Sequence, residues 1–336
     1  MSRAAGGPEP GGATPLRTGI DVRELVADRQ TGIGRVLKIL LEGLGRSETG
    51  IVPVLYGDQR TRLPDSLERL PLRTLREPVT LWWDQVRLPR ALREDRIEVF
   101  WSPYYKVPLR PPCPVVNTIH DLIPMRYGPW RDRVLFGLAC RIHARRAAAT
   151  LTDSEFSRTC LTRNLGIPPE KIHLVPLAVG PQFRPVDRRN QHAVLSRYSL
   201  DPDYLLTVTN FQPHKNLPRL LEAYRQLPSP LRGGHPLVVV GDGAGRPDLE
   251  GSRDALGLRT EVRFRALPEV VGDAALLVNP RDPAAITGGL ASVLADTALR
   301  SDLQARGLAR AARFTPEGML GAVCAALQRV RPRGAS

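Results

Sequence analysis

The residues best placed to do chemistry in this 336-residue chain are His120 and Asp121, in the middle of the run PVVNTIHDLIPM over 114–125. Val115 to Ile119 is short, mostly apolar and rich in β-branched side chains, the composition of a buried parallel strand. Pro124 stops a simple continuation of the sheet. A titratable pair therefore sits where a strand gives way to a loop, the carboxyl edge at which open α/β sheets bind ligands. His120 there suits a hydrogen-bond donor to a sugar or phosphate, with Asp121 orienting the ring, and the two form the candidate catalytic pair. The plain alternative is a capped strand end with a hydrogen-bonded histidine.

Lys215, in TNFQPHKNLPRLL, stands just before a helix whose expected cap is Asn216. A cation there opposes the helix dipole, by some tenths of a kcal/mol. An anion held between lysine and helix would turn that conflict into a site, and a lysine reaching into water is the equal alternative. Thr31-Gly-Ile-Gly-Arg35 opens another helix, and Gly32 and Gly34 would let backbone N–H groups approach a ligand. Ser154 and Glu155 stand at a third helix start, where a cap and a dipole partner are the simplest roles, with a place in a cleft as the other. Gly241 to Gly245, with Gly241 and Gly243, forms a strand-to-helix turn at a cleft edge but lacks the dinucleotide spacing. No metal-binding histidine pair and no serine–histidine–aspartate grouping is legible.

Around these positions, strands and helices alternate in two blocks. The first holds strands at Arg17 onward, Ile97–Ser102, Val115–Ile119, Ala149–Thr152 and Lys171–Pro176, with helices from Ile33, over Val134–Ala149, and from Ser154 to near Gly166. Arg60 to Pro78 has no clear pattern, and Pro181 to Tyr198 reads as a linker. The second block holds strands at Tyr204–Thr209, Leu237–Val240, Glu261–Arg265 and Ala275–Val278, a helix over Leu217–Leu227, and three closing helices. This predicts an α/β protein of two doubly wound Rossmann-like domains facing a cleft. The expected division is a disordered tail over 1–16, a first domain over 17–185 and a second over 199–330.

Composition narrows the partners. The net charge is +14, yet only four of 48 basic residues are lysines, so biased codon usage accounts for much of the arginine excess. The charge is compatible with an anionic substrate or lipid surface, and no motif supports nucleic-acid binding. Four unpaired-looking cysteines suggest reduced thiols in a cytosolic setting. The amino terminus has no apolar core for a secretory signal, and no stretch approaches the roughly 20 apolar residues that span a bilayer. The expected location is the cytoplasm, or the inner face of its membrane as a peripheral protein.

Taken in order, TGIGR, NTIHDLIP, TDSEFSR, KIHLVPLAVGPQFRP, PHKNLPRLLEAY and LPEVVGDAALLVNPRDP resemble a bacterial family 4 glycosyltransferase over nearly all the chain from Arg17. The resemblance implies the GT-B architecture and transfer of a hexose, such as mannose, from a nucleotide-diphosphate sugar to a cell-envelope or polysaccharide acceptor, carbohydrate or lipid-linked. It implies retention of configuration, no metal and no cofactor beyond the donor. It places His120 beside the transferred sugar, the Gly32–Gly34 loop near donor diphosphate or acceptor, and Lys215 with Asn216 on the diphosphate. His214 stands where the family often has arginine.

One departure is large. In the family, a strand like Glu261–Phe264 leads to a nucleotide-base loop and then to a glycine-rich segment with two glutamates that hold sugar and ribose. Here Arg265-Ala266 runs straight into Leu267-Pro-Glu269, and the donor segment is absent. Two readings follow: a glycosyltransferase weakened at its donor site, or a catalytically inactive relative that binds a partner.

Overall fold

Short β-branched runs alternating with amphipathic helices build two separate parallel sheets. The computed structural model describes residues 14–27, 31–46, 49–180, 183–185, 187–197, 199–241, 245–265 and 278–332. The chain divides into two units, one running to Gly180 and resuming at Phe314, the other covering Pro181–Arg313.

The first unit contains β1 (Leu16–Asp21), α1 (Gly32–Arg46), β2 (Ile51–Gly57) and β3 (Leu72–Thr74). A helical stretch follows, made of α2 (Thr80–Trp82), a π-helical Trp83–Arg87 and α3 (Leu88–Glu94). Then come β4 (Val99–Ser102), β5 (Val115–Thr118), α4 (Trp130–Arg146), β6 (Ala149–Thr152), α5 (Glu155–Leu165) and β7 (Ile172–Leu174). All seven strands are parallel, in the order β3-β2-β1-β4-β5-β6-β7. The order reverses beside β1, the kind of switch point at which doubly wound sheets bind ligands.

β5 is buried throughout, and its polar residues are satisfied across the sheet. Asn117 donates to the Tyr105 carbonyl at 3.0 Å and accepts from Thr150 Oγ1 at 2.8 Å. Thr118 Oγ1 accepts from the Trp101 indole at 3.0 Å and donates to the Ser102 carbonyl at 3.1 Å. Buried polar groups of this kind are tolerated only when paired, and once paired they fix the positions of neighbouring strand ends.

The second unit contains α6 (Arg188–Arg197), β8 (Leu205–Val208), α7 (Leu217–Arg225), α8 (Ser229–Gly234), β9 (Leu237–Val240), α9 (Arg246–Ala255), β10 (Val262–Arg265), α10 (Pro283–Ala295) and α11 (Thr297–Ala311). Its parallel sheet has the order β10-β9-β8. Phe211, Leu221, Tyr224, Val239 and Phe264 belong to its core.

Several expectations change. The stretch read as a linker holds α6, and the stretch without a clear pattern holds β3 and a 3-10 turn at Asp65–Leu67. α4 begins at Trp130, behind the extended Pro129, and stops when Ala147 turns extended ahead of β6. The last helix, α12 (Pro316–Arg329), belongs to the first unit, whereas the second domain was expected to run to residue 330. The reason is packing: Met319, Leu320, Val323 and Leu327 join Leu37, Leu40, Leu41 and Leu44 of α1 in one core. A Cβ on Gly43 would lie 2.9 Å from Leu320, so glycine admits the crossing helix. The predicted strand at Ala275–Val278 and the join at Ala266-Leu267 fall outside the described residues, apart from Val278.

Candidate functional site

Parallel pairing decides which side chain meets His120. Thr118 of β5 is in register with Leu151 of β6, so two residues on His120 stands opposite Asp153. His120 Nδ1 lies 2.8 and 3.0 Å from the two Asp153 carboxylate oxygens, and both side chains are 22% exposed. Burial alone would lower the His120 pKa, but the hydrogen bond and charge of Asp153 outweigh it, and the value is raised. The Pro103 carbonyl and the more distant Asp121 add to that pull.

Asp121 is not the orienting group. It is exposed, and its Oδ1 accepts from the Ile123 N–H at 2.8 Å in a local turn ahead of the 3-10 turn Ile123–Met125. Neighbouring residues in extended backbone point to opposite sides, so His120 and Asp121 diverge while His120 and Asp153 converge. Asp153 was missed because register is not legible in one strand, though the polar ends of NTIHD and TLTDS were the available signal.

Ser154 accepts from the Ser157 N–H at 3.1 Å as the cap of α5, and Gly166 ends that helix in the left-handed conformation. Ser157 Oγ donates to the His120 carbonyl at 2.9 Å, which ties the helix start to the histidine's backbone. Glu155 is exposed and pairs with Arg158 at 3.2 Å, so cap and dipole partner are the roles that Ser154 and Glu155 fill.

The start of α1 closes the same edge. Thr31 Oγ1 accepts from the Gly34 N–H at 3.0 Å and donates to Glu24, which also accepts from the Tyr104 hydroxyl. Gly34 is buried and its amide is taken by this cap, so the ligand contact expected of it is not available there; Gly32 is exposed at the helix start. Below lies a buried ion group. Arg23 bridges Asp21 at 2.6 Å and Asp84 at 2.8 Å, and its guanidinium stacks 3.6 Å above the Trp83 ring. Glu24, Tyr104 and Arg23 carried no signal in the sequence, since the strands that unite them lie far apart in it.

His120 Nε2 is shielded from solvent and makes no fully formed hydrogen bond among the described residues, although the Pro103 carbonyl is close enough to raise the ring's pKa. The ring lines a mainly apolar pocket with Ile33, Leu37, Trp101, Asp153 and Val323. Its 20 Å³ is little more than one water needs, about 10–15 Å³. The pocket cannot enclose a hexose, and it leaves the imidazole held in place by Asp153.

In the second unit Lys215 is exposed, at the end of a 3-10 turn, Pro213–Lys215. Asn216 occupies the cap position of α7 in the left-handed conformation, but its side chain makes no capping bond. Its amide instead donates to the Pro280 carbonyl, and its oxygen accepts from Arg219 at 3.0 Å. The start of α7 is thus left without a side-chain cap beside a lysine.

Gly241 is buried, and a Cβ there would lie 1.7 Å from the Thr209 carbonyl oxygen. Gly245 is similarly pressed, 2.6 Å from the Phe211 carbonyl. These glycines exist so that the ends of β8 and β9 can approach. Gly243 lies outside the described residues.

The sequence model for Glycosyltransferase Family 4 matches residues 31–183, and that for Glycosyl transferases group 1 matches residues 188–266. The chain is 27% identical over 282 residues to O-antigen chain mannosyltransferase B of Escherichia coli, covering 68% of this chain and 73% of that protein. It is 31% identical over 173 residues to alpha-D-kanosaminyltransferase of Streptomyces kanamyceticus, covering 49% of this chain and 42% of that one. Among solved structures, Anabaena Alr3699/HepE in complex with UDP-glucose superposes with a TM-score of 0.72 at 12% identity, over 94% of this chain and all of that one. WaaG, a glycosyltransferase involved in lipopolysaccharide biosynthesis, gives 0.65 at 14% identity, over 92% and 99%. At such identities the likeness concerns the fold. With both sequence models matched in order over the two units, the chain belongs to the family 4, group 1 glycosyltransferases of GT-B fold.

Proposed function

We propose that this protein is a retaining hexosyltransferase of low turnover. It moves mannose or a related hexose from a nucleotide-diphosphate sugar to a cell-envelope or polysaccharide acceptor, carbohydrate or lipid-linked. The observation that carries the reading is His120, partly exposed and braced through Nδ1 by Asp153 at the carboxyl edge of the parallel sheet. A donor held in that way loses no orientation when a sugar hydroxyl or developing charge meets it. Lys215 beside the uncapped start of α7 supplies the diphosphate contact. The mannosyltransferase relative favours mannose, and the HepE complex favours a nucleotide donor. An acceptor on lipid would bring the protein to the inner membrane face, and no described helix is long and apolar enough to cross the membrane.

Low turnover follows from the missing donor segment. The group 1 match stops at residue 266, where the sequence leaves the family pattern. The match to mannosyltransferase B runs over 282 residues but occupies only 68% of this 336-residue chain, which fits a chain shorter than its relative inside the matched region. Among the described residues β8 pairs on one side only, and Leu206 on it is 54% exposed. A doubly wound sheet would carry further strands there.

The same features favour a second reading, an inactive relative that binds a partner. Transfer from GDP-mannose and UDP-glucose, followed by mass spectrometry of the product, decides between them alongside calorimetry with each donor. Slow product formation that His120→Ala abolishes supports transfer. Donor binding with no product supports the binding protein, and neither binding nor product overturns the donor site altogether.

A further inference from the structure

Three neighbouring strands of the first sheet are followed at their carboxyl ends by polar residues. Glu24 comes three residues after β1, Tyr104 two after β4 and His120 two after β5, and these strands lie side by side in that order. Strands in a sheet are about 4.8 Å apart, so the chain after β1 and the chain after β5 stand about 10 Å apart. Pro103 after β4 and Ile33 at the start of α1 line the His120 pocket within that interval. The pocket itself is too small for a hexose, which leaves the open edge between Glu24 and His120 as the place for one.

Glu24 is the half-buried carboxylate of this edge that no cation offsets. Arg23 beside it is taken up by Asp21 and Asp84, at 2.6 and 2.8 Å, and Asp153 is bonded to His120. Glu24 has no ion pair among the described residues, and its two oxygens accept from the hydroxyls of Thr31 and Tyr104. A carboxylate offers about four lone-pair sites, so two hydroxyl donors leave about two free.

The carboxylate is also held still. A Cβ on Gly34 would touch the Glu24 carbonyl at 3.4 Å and its Cγ at 3.5 Å, so the start of α1 packs directly against the side chain. Tyr104 is fixed in turn, its carbonyl accepting from the Thr118 N–H of β5 at 3.0 Å and its N–H donating to Ser102 Oγ at 3.3 Å. A ligand hydroxyl arriving here meets an acceptor already oriented, at little cost in ordering.

We propose that Glu24 is a specificity-determining residue for the acceptor. Its carboxylate accepts hydrogen bonds from ring hydroxyls of an uncharged hexose that lies between it and His120. A sugar bearing a phosphate or a carboxylate meets an uncompensated negative charge there and is rejected. The terminal hexose of a neutral glycan, free or carried on lipid, fits this rule, and a bare lipid phosphate or a uronic acid does not. The assignment rests on the transferase reading and supplies the acceptor class.

The test uses the full chain with no sugar donor. Methyl mannoside, methyl glucoside and their 6-phosphates are titrated at equal ionic strength, and binding is read on the ring-proton resonance of His120, assigned by its loss in His120→Gln. Phosphate held elsewhere, as at Lys215, is then not counted. A neutral glycoside should shift the resonance saturably, and its 6-phosphate should bind about tenfold or more weaker. Glu24→Gln keeps the size and removes the charge, so the preference for the neutral sugar should fall about tenfold. Glu24→Asp should weaken both sugars and keep the preference. Circular dichroism melts check the fold of each variant, and the wild-type ratio tests the assignment even where a variant unfolds. A Glu24→Gln chain that loses affinity for both sugars alike would reduce Glu24 to a structural role and overturn the proposal. So would a wild type that binds the 6-phosphates as well as the neutral glycosides, or that binds neither neutral sugar. With donor absent, loss of the donor site or of turnover leaves these outcomes unaffected. Transfer to a 6-phosphorylated acceptor in preference to the neutral one would remove the role of Glu24 while upholding the transferase.

Discussion

Asp153 settles how His120 behaves. Its carboxylate raises the His120 pKa against the lowering effect of burial. A folded-state value above the unfolded one means that the protonated pair stabilises the first unit fully below the unfolded pKa, about 6.5. That contribution is lost as pH rises through the raised folded value. Asp153→Asn should bring the His120 titration, followed by NMR of the ring protons, to lower pH and flatten the stability profile above pH 6.5. An unchanged titration would show that Asp121 or the backbone does the bracing. At the other candidate residue, Lys215→Ala should weaken nucleoside diphosphate binding more than tenfold in calorimetry, because charge-assisted phosphate contacts are worth about 1.5–3 kcal/mol. Lys171→Ala is the control, as Lys171 reaches the Ala147 carbonyl at 3.4 Å within the first unit. Equal effects from the two would remove the phosphate role of Lys215.

Elements carry their own constraints. The cap of α5 holds the segment whose Ser157 fastens the His120 backbone, so Ser154→Ala should lower stability by about 1 kcal/mol in urea denaturation. The close approach beyond the ends of β8 and β9 is stricter. Gly241→Ala drives a methyl into the Thr209 carbonyl oxygen, and neither backbone can give way without breaking the parallel pairing of β8 and β9. Overpacking of this kind costs about 1–3 kcal/mol or more, and it should appear as an early transition of the second unit in denaturant. A variant as stable as the wild type would mean that the strand ends are not held at that approach.

For the whole molecule the contrast between units matters most. The first unit surrounds seven parallel strands and recruits α12 from the far end of the sequence. The second has three described strands, and β8 is only partly buried along its length. A sheet with an open edge and a half-covered strand resists local opening less well. Limited proteolysis should therefore cut first after about Arg197, leaving the sheet of the first unit intact by mass, and sugar transfer by the 336-residue chain should stay near background. First cleavage inside the seven-stranded sheet would reverse the order of stability. Robust turnover would overturn the proposal of a weakened donor site.

The sequence by itself determined the alternation of strands and helices, the caps at Ser154 and Gly166, the apolar face of α1 and the carboxyl-edge position of His120. Each is written in local spacing and in the φ, ψ and capping preferences of nearby residues, which act within one turn or strand. It also gave the order of the motifs, with Ala266 followed directly by Leu267, since order along the chain needs no fold. Only the tertiary structure decided that His120 meets Asp153 and turns from Asp121, because strand register couples residues 33 apart and separates neighbours. Only packing decided that Gly34 seals a helix start, that Gly241 lets the chain after β9 approach the chain after β8, and that α12 returns to the first unit. Those outcomes depend on which surfaces meet, and no local pattern in the chain records that.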